Sequence, residues 1–340
     1  MRIIFYLMFS IFFFVSGDTL GVSKKESNPT SLRNFFKKSV ISDRGLFLYI
    51  ERGFLRKKKF YIKRYTSNRW SAESSHGRYW PASVVKIWAA LGAVLFANEL
   101  GQDSRLVLRG RDSRGVFSSN IISLCRQTLI RGGNLSYDRL LRFVSPAVLN
   151  SVYRLRYKLR RMWVSRFFSS RSRLNRFWIK NSRKKWNILL RGKISISKKN
   201  SICRSNCISF SDVSSIMRRL VFHERLSKSK RFRISSYDSL HLRLAMNQSP
   251  LRLRSVIRKS LGRNIIVYGK SGNVFGRSRV EIALIERGFG EYYFIGVSMK
   301  YRGTHRRMGQ KSAYRHLGNQ MERLIGKVLR YIKRKPVDFR

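Results

Sequence analysis

The chain has 340 residues, 43% hydrophobic and 13% aromatic, which suits one large globular unit or two closely joined lobes and excludes a disordered basic tail. Its 73 Lys and Arg against 17 Asp and Glu give a net charge of +56, spread along the sequence instead of gathered in one arm. Such a field favours polyanions, but no recognisable nucleic-acid module or basic stripe accompanies it, so the charge reads as Arg and Lys filling solvated positions and no specific nucleic-acid partner is expected.

Met1-Arg2, the apolar run Ile3 to Val15 and the small residues Ser16-Gly17 read as a signal peptide over residues 1–17. The apolar run is short for a spanning helix. The expectation is an exported protein, periplasmic or extracellular, with no membrane span after cleavage. A basic, Ser/Lys-rich extension over residues 18–44 precedes a folded domain over residues 45–335.

Leu46 to Ile50 and Phe54 to Ile62 are β-favouring runs, and Gly53 between them predicts a hairpin turning there. Ser83 to Leu100, preceded by Pro81 and stopped by Gly101, predicts a buried, Ala-rich helix. Ser118 to Thr128 and Leu135 to Val144 predict two more, the second led by the turn Gly132-Gly133-Asn134. Between Val152 and Asn200 Arg, Ser and aromatic residues crowd together, and only broken helices and loops are expected. Phe210 to Phe222 predicts a helix capped by Ser211 and Asp212.

Strands over Asn264 to Tyr268, Arg279 to Glu286 and Tyr292 to Met299, then a helix over Ser312 to Lys333, complete the chain. This order predicts an α+β fold. An antiparallel sheet assembled from both ends of the chain is flanked by helices, with an all-helical lobe inserted at about residues 101–250.

Three cysteines are too few for a disulfide framework; Cys203 and Cys207 are close enough to pair in an oxidising compartment, and Cys125 is expected to be buried. His76, His223, His241, His305 and His316 show no ligand spacing, so neither a metal nor a cofactor is expected.

Ser83 and Lys86 lie three residues apart at the start of an apolar helix, which puts both on one face. A serine hydroxyl is a poor nucleophile until a base takes its proton, and a buried, neutral lysine can be that base. Burial and the positive surroundings both push the Lys86 pKa down. Far downstream, Tyr268-Gly269-Lys270-Ser271-Gly272 closes a strand and offers a cation and a hydroxyl to a substrate carboxylate, with a glycine against which a ligand can lie.

Pro81-Ala82-Ser83-Val84-Val85-Lys86, Asn134 to Leu140 and Lys270-Ser271-Gly272 occur in the order and context of the class A β-lactamase-like, penicillin-recognising serine hydrolases, which the chain resembles from about Gly45 to Arg330. The resemblance implies a β-lactamase/transpeptidase-like fold. It implies Ser83 as nucleophile, Lys86 as base, Asn134 as a substrate-binding amide, and Lys270 with Ser271 and Gly272 as the carboxylate site. It places the oxyanion hole at the backbone N–H groups of Ser83 and Asn273.

The chain departs from the family pattern twice. If Asn134 matches the asparagine of Ser-Asp-Asn, as Tyr137-Asp138-Arg139-Leu140 favours, the proton-shuttling serine is replaced by Gly132. In the alternative register Ser136-Tyr137-Asp138 is the motif and Ser136 supplies the hydroxyl. Further on, no Asp or Glu stands between Asp138 and Asp212, so the water-activating glutamate of class A β-lactamases has no counterpart. The expected activity is that of an exported active-site-serine hydrolase of β-lactamase or D-Ala-D-Ala-peptidase type, by acyl transfer through Ser83 on β-lactam or peptidoglycan-like amides. The alternative is a catalytically impaired relative that binds peptidoglycan or an anionic envelope polymer.

Overall fold

The computed structural model describes residues 30–31, 46–66, 82–112, 114–159, 162–164, 168, 176–180, 186–190, 206–274, 278–300 and 310–335. The expected signal peptide, His76, Cys203 and His305 lie outside the described residues. The strands are β1 (Thr30–Ser31), β2 (Leu46–Arg56), β3 (Lys59–Thr66), β4 (Val107–Asp112), β5 (Gly115–Asn120), β6 (Arg176–Lys180), β7 (Trp186–Leu190), β8 (Ile266–Val274), β9 (Ser278–Glu286) and β10 (Glu291–Lys300). The longer helices are α1 (Lys86–Glu99), α2 (Ile121–Leu129), α3 (Asn134–Val144), α4 (Phe210–Val221), α5 (Ser236–Gln248), α6 (Arg254–Leu261) and α7 (Gln310–Arg334).

The main sheet runs β1-β3-β2-β10-β9-β8 and is antiparallel apart from the short β1 pairing. Both ends of the chain thus build one sheet, with the long β2–β10 pairing at its centre. Side chains alternate across it. Leu48, Ile50, Ile285 and Ile295 pack under α6 and α7 with Ile257, Leu324 and Val328. Tyr49, Ile282, Leu284 and Phe294 face the other way, onto a larger core with Trp88, Leu91, Phe143 and Met217. Helix α1 runs through this core and is buried over nearly its whole length, so its apolar composition belongs to packing.

Three expectations are corrected. The β2–β3 turn falls at Lys57-Lys58, both left-handed at φ 47° and 60°, and not at Gly53. Gly53 sits within β2 because a Cβ there would lie 2.3 Å from the Tyr292 ring, so the strand needs a residue without a side chain at that crossing. The inserted lobe is not all-helical, since β5-β4-β6-β7 form a second, four-stranded antiparallel sheet in it. Residues 118–120 accordingly belong to β5, and α2 begins behind Asn120, whose Oδ1 accepts from Ser123 N–H at 2.8 Å. Helix α4 is capped two residues earlier than expected, by Ser209, whose Oγ accepts from Asp212 N–H at 3.1 Å.

A buried ion network ties β2 to α4. Glu51 accepts from Ser214 Oγ at 2.5 Å, from Arg218 Nη1 at 2.7 Å and from the Tyr49 hydroxyl, with Arg64 at 3.6 Å. Arg218 also donates to the Tyr292 hydroxyl at 3.1 Å. Cys207 is disulfide-bonded, and Cys125 is free, buried in α2, with its thiol pKa pushed up by desolvation.

Candidate active site

The site forms where α1, α3 and the edge strand β8 meet. Ser83 lies in a single 3₁₀ turn, Ala82–Val85, which runs directly into α1 at Lys86. In a 3₁₀ turn residues i and i+3 eclipse, so Ser83 and Lys86 share one side of the chain. The turn packs on β8. Ser83 remains partly exposed while Lys86 is fully buried.

Lys86 Nζ donates to the carbonyl of Gly132 at 2.5 Å and to Asn134 Oδ1 at 2.7 Å. Gly132 has φ +69°, a left-handed conformation that glycine adopts at no steric cost, and the loop so formed turns its carbonyl onto the amine. The geometry therefore brings Gly132 and Asn134, not Ser136, to the lysine. Ser136 Oγ instead donates to Gln127 Oε1 at 3.0 Å, tying α3 to α2.

Burial holds the Lys86 pKa at about 7, with the nearby Lys270 pushing it further down and Asp138 opposing both. An amine with a pKa near 7 is a usable base at neutral pH. Two of its tetrahedral positions are taken by the two carbonyl acceptors. In the neutral form the lone pair is then free for a hydroxyl proton.

Lys270 lies on β8, buried, with its pKa lowered by desolvation to about 8, so it is mostly charged at pH 7. Strand alternation turns Ser271 to the other face, where its Oγ donates to Pro250 O at 3.1 Å. Lys270 and Ser271 thus do not face one ligand position together. Gly269 allows the strand to pass Ile282 O and Leu251, since a Cβ there would lie 2.6 Å and 2.8 Å from them. Gly272, buried, and Asn273, half-buried, pair with Val280 and Arg279 of β9. Behind Ser271 stands a buried pair: Arg279 Nε donates to Glu281 Oε1 at 2.9 Å, and Leu253 N–H donates to Oε2 at 3.1 Å.

Sequence reasoning missed Phe168. Its ring centroid lies 5.3 Å from Lys86 Nζ, its N–H donates to the buried Asp138 Oδ1 at 2.8 Å, and its ring packs against Tyr137 at 4.8 Å between centroids. Phe168, Asn134, Gly133, Ser136, Gln127 and Arg114 border a cavity of about 560 Å³ beside the lysine. Phe168 sits in the stretch crowded with Arg, Ser and aromatics, where no periodicity marks it. Asp138, the last acid before a long run without any, was the available signal for its anchor.

Among the described residues no group of three or more His, Cys, Asp and Glu comes together. His223 is a satisfied core histidine, with Nε2 3.1 Å from Phe232 O.

The fold is that of the β-lactamases and transpeptidases. A β-lactamase from Burkholderia vietnamiensis superposes with a TM-score of 0.54 at 13% identity, covering 90% of this chain and 96% of its own. A structure of PBP-A gives a TM-score of 0.55 at 10% identity, covering 88% of this chain and 98% of its own. The chromosome-encoded β-lactamase of Vibrio parahaemolyticus gives 0.52 at 10%, covering 84% and 91%. No protein-family model and no curated protein sequence matches the chain.

Proposed function

We propose that the protein is an exported active-site-serine acyltransferase that forms an acyl-enzyme at Ser83 from a β-lactam or peptidoglycan-type amide. One observation carries this reading. Lys86, buried with a pKa of about 7 and one turn from Ser83, donates to two carbonyl acceptors among the described residues, and as a neutral amine it keeps a lone pair for a proton.

In the first step neutral Lys86 accepts the Ser83 proton as Oγ attacks the amide carbonyl. The backbone N–H groups of Ser83 and Asn273 stabilise the oxyanion. Lys270 holds the substrate carboxylate, and Asn134 holds the acyl amide through its remaining hydrogen-bonding capacity. The amide C–N bond breaks as a proton reaches the leaving nitrogen. With Gly132 at the lysine no serine hydroxyl relays that proton, so Lys86 or water must deliver it.

The same gap favours slow turnover, and a second reading follows from it: a relative that binds peptidoglycan or an anionic envelope polymer through its positive surface without completing catalysis.

Intact-mass measurement after incubation with benzylpenicillin, beside Ser83→Ala, separates the two. An adduct on the wild type alone supports acyl transfer. With no adduct and no β-lactam consumed, the binding reading replaces it. Sequencing the N-terminus of the exported protein tests cleavage after residue 17.

A further inference from the structure

Among the described residues, Lys86 Nζ donates to two carbonyl oxygens and lies 5.3 Å from the centroid of the Phe168 ring. Phe168 is fixed there from two directions by consecutive residues of α3. Asp138, fully buried, accepts its backbone N–H, and Tyr137 packs on its ring. Phe168 also lines the 560 Å³ cavity, whose lining includes Asn134, the lysine's acceptor.

Hydrolysis of an ester on Ser83 needs a water molecule whose proton a base can take. Its oxygen adds to the carbonyl carbon, the C–Oγ bond breaks, and Oγ recovers a proton. A water beside Lys86 needs polar partners on several sides. On this side the chain offers a benzene ring. Between Asp138 and Asp212 the sequence has no Asp or Glu to bind or activate that water.

We infer that Phe168 is a positioning residue that keeps water from the Lys86 side of acyl-Ser83, so that the acyl group is retained until a nucleophile other than water arrives. The inference rests on the acyl-enzyme reading above. Its first consequence is kinetic: acylation proceeds while hydrolysis stalls. Its second is independent of turnover: opening the ring position exposes Lys86 to water and moves its titration upward from about 7.

The test compares wild type, Phe168→Ala and Phe168→Leu. Leu keeps most of the volume and loses only the ring's attraction for the ammonium, which lowers the lysine pKa if it changes it at all. Adduct lifetime is followed by intact mass after excess benzylpenicillin is removed. Lys86 is titrated by NMR of ¹³C-dimethylated protein, its signal assigned by its loss in Lys86→Arg.

The expected result is a lifetime at least ten-fold shorter in Phe168→Ala and near wild type in Phe168→Leu, with the Lys86 titration raised in Ala alone. An adduct that forms in Phe168→Ala and lasts as long as in wild type overturns the inference, as does an unchanged Lys86 titration. If wild type forms no adduct, the acyl-enzyme reading fails. The titration then decides water exclusion alone: a rise in Phe168→Ala upholds it and no rise overturns it.

Discussion

Asn134 Oδ1 accepts a hydrogen bond from Lys86 Nζ at 2.7 Å, so the first residue of α3 is tied to the first residue of α1. This bond aligns the amine without charging it, because an amide is a neutral acceptor. A carboxylate in the same place favours the ammonium form, and an opposite charge at such range raises a lysine pKa by about one to three units. Asn134→Asp is therefore expected to move the rising limb of the acylation–pH profile above pH 8 and to slow acylation at pH 7 about ten-fold. Rates from quenched mass spectra check this. An unmoved limb means that Lys86 is not the base.

The two lysines set opposite limits on the wild-type profile. On the proposed mechanism Lys86 acts once it has lost its proton, at about 7, and Lys270 binds while it keeps its own, up to about 8. Acylation by a carboxylate-bearing β-lactam is expected to pass through a narrow maximum between those values, with the apparent constants belonging to the pair. In Lys270→Met the falling limb disappears. The rising limb moves upward, because the charge that helped depress Lys86 has gone.

Lys86 also makes folding depend on pH. Its folded pKa of about 7 lies below the ordinary 10.5, so below pH 7 both folded and unfolded states bind the proton and the burial penalty is present in full. Between 7 and 10.5 the unfolded state binds more protons, and stability rises with pH. Lys86→Met lacks this slope. The difference in melting temperature between the two proteins should shift towards the wild type as the pH rises from 6 to 10, and parallel curves would refute the burial of a titrating amine.

How much of this was readable beforehand depends on the kind of signal. The strands β9 and β10 and helices α1 and α7 are long, strongly patterned runs, and the sequence reading found them within a few residues. Strands β6 and β7 escaped it because Phe177-Trp178-Ile179 and Ile188-Leu189-Leu190 are short runs among Arg and Ser, and their pairing with β4 is a tertiary choice. Gly53 reads as a turn residue because, in sequence, a glycine needed for the close approach of the Tyr292 ring looks the same as one needed for φ. Ser83 and Lys86 are candidates by their spacing at the start of an apolar helix, whereas Asn134 is a candidate only through the family resemblance. Which of Gly132 and Ser136 meets the lysine depended on how the loop closes onto α2, and Phe168 arrives from a distant segment with no motif at all.

Gly132 offers a gain-of-function test. No heavy atom lies within 4 Å of a Cβ built there, so a serine fits, but its φ of +69° makes any side chain strained. Gly132→Ser should cost about 1 kcal/mol of stability for the left-handed backbone while adding a hydroxyl to the residue whose carbonyl meets Lys86. Faster acylation by an amide substrate, with a lower urea midpoint, is the expected pair of results. A stability loss without any rate gain would show that proton delivery does not limit the reaction.

Glu51 supplies a prediction away from the site. It is buried in β2 and holds Arg218, itself buried in α4, at 2.7 Å, while Arg218 reaches the Tyr292 hydroxyl in β10. Removing one partner of a buried ion pair strands the other charge and costs about 3–5 kcal/mol, whereas replacing both by apolar groups of similar volume is often nearly neutral. Glu51→Gln keeps the shape but leaves the Arg218 charge uncompensated, because Arg64 next to it is also cationic. Urea unfolding is expected to show a loss in that range for Glu51→Gln and a substantial recovery for Glu51→Leu combined with Arg218→Met. Equal losses in the single and double variants would mean that the hydrogen bonds to Ser214 and Tyr49, and not the charge pair, hold β2 to α4.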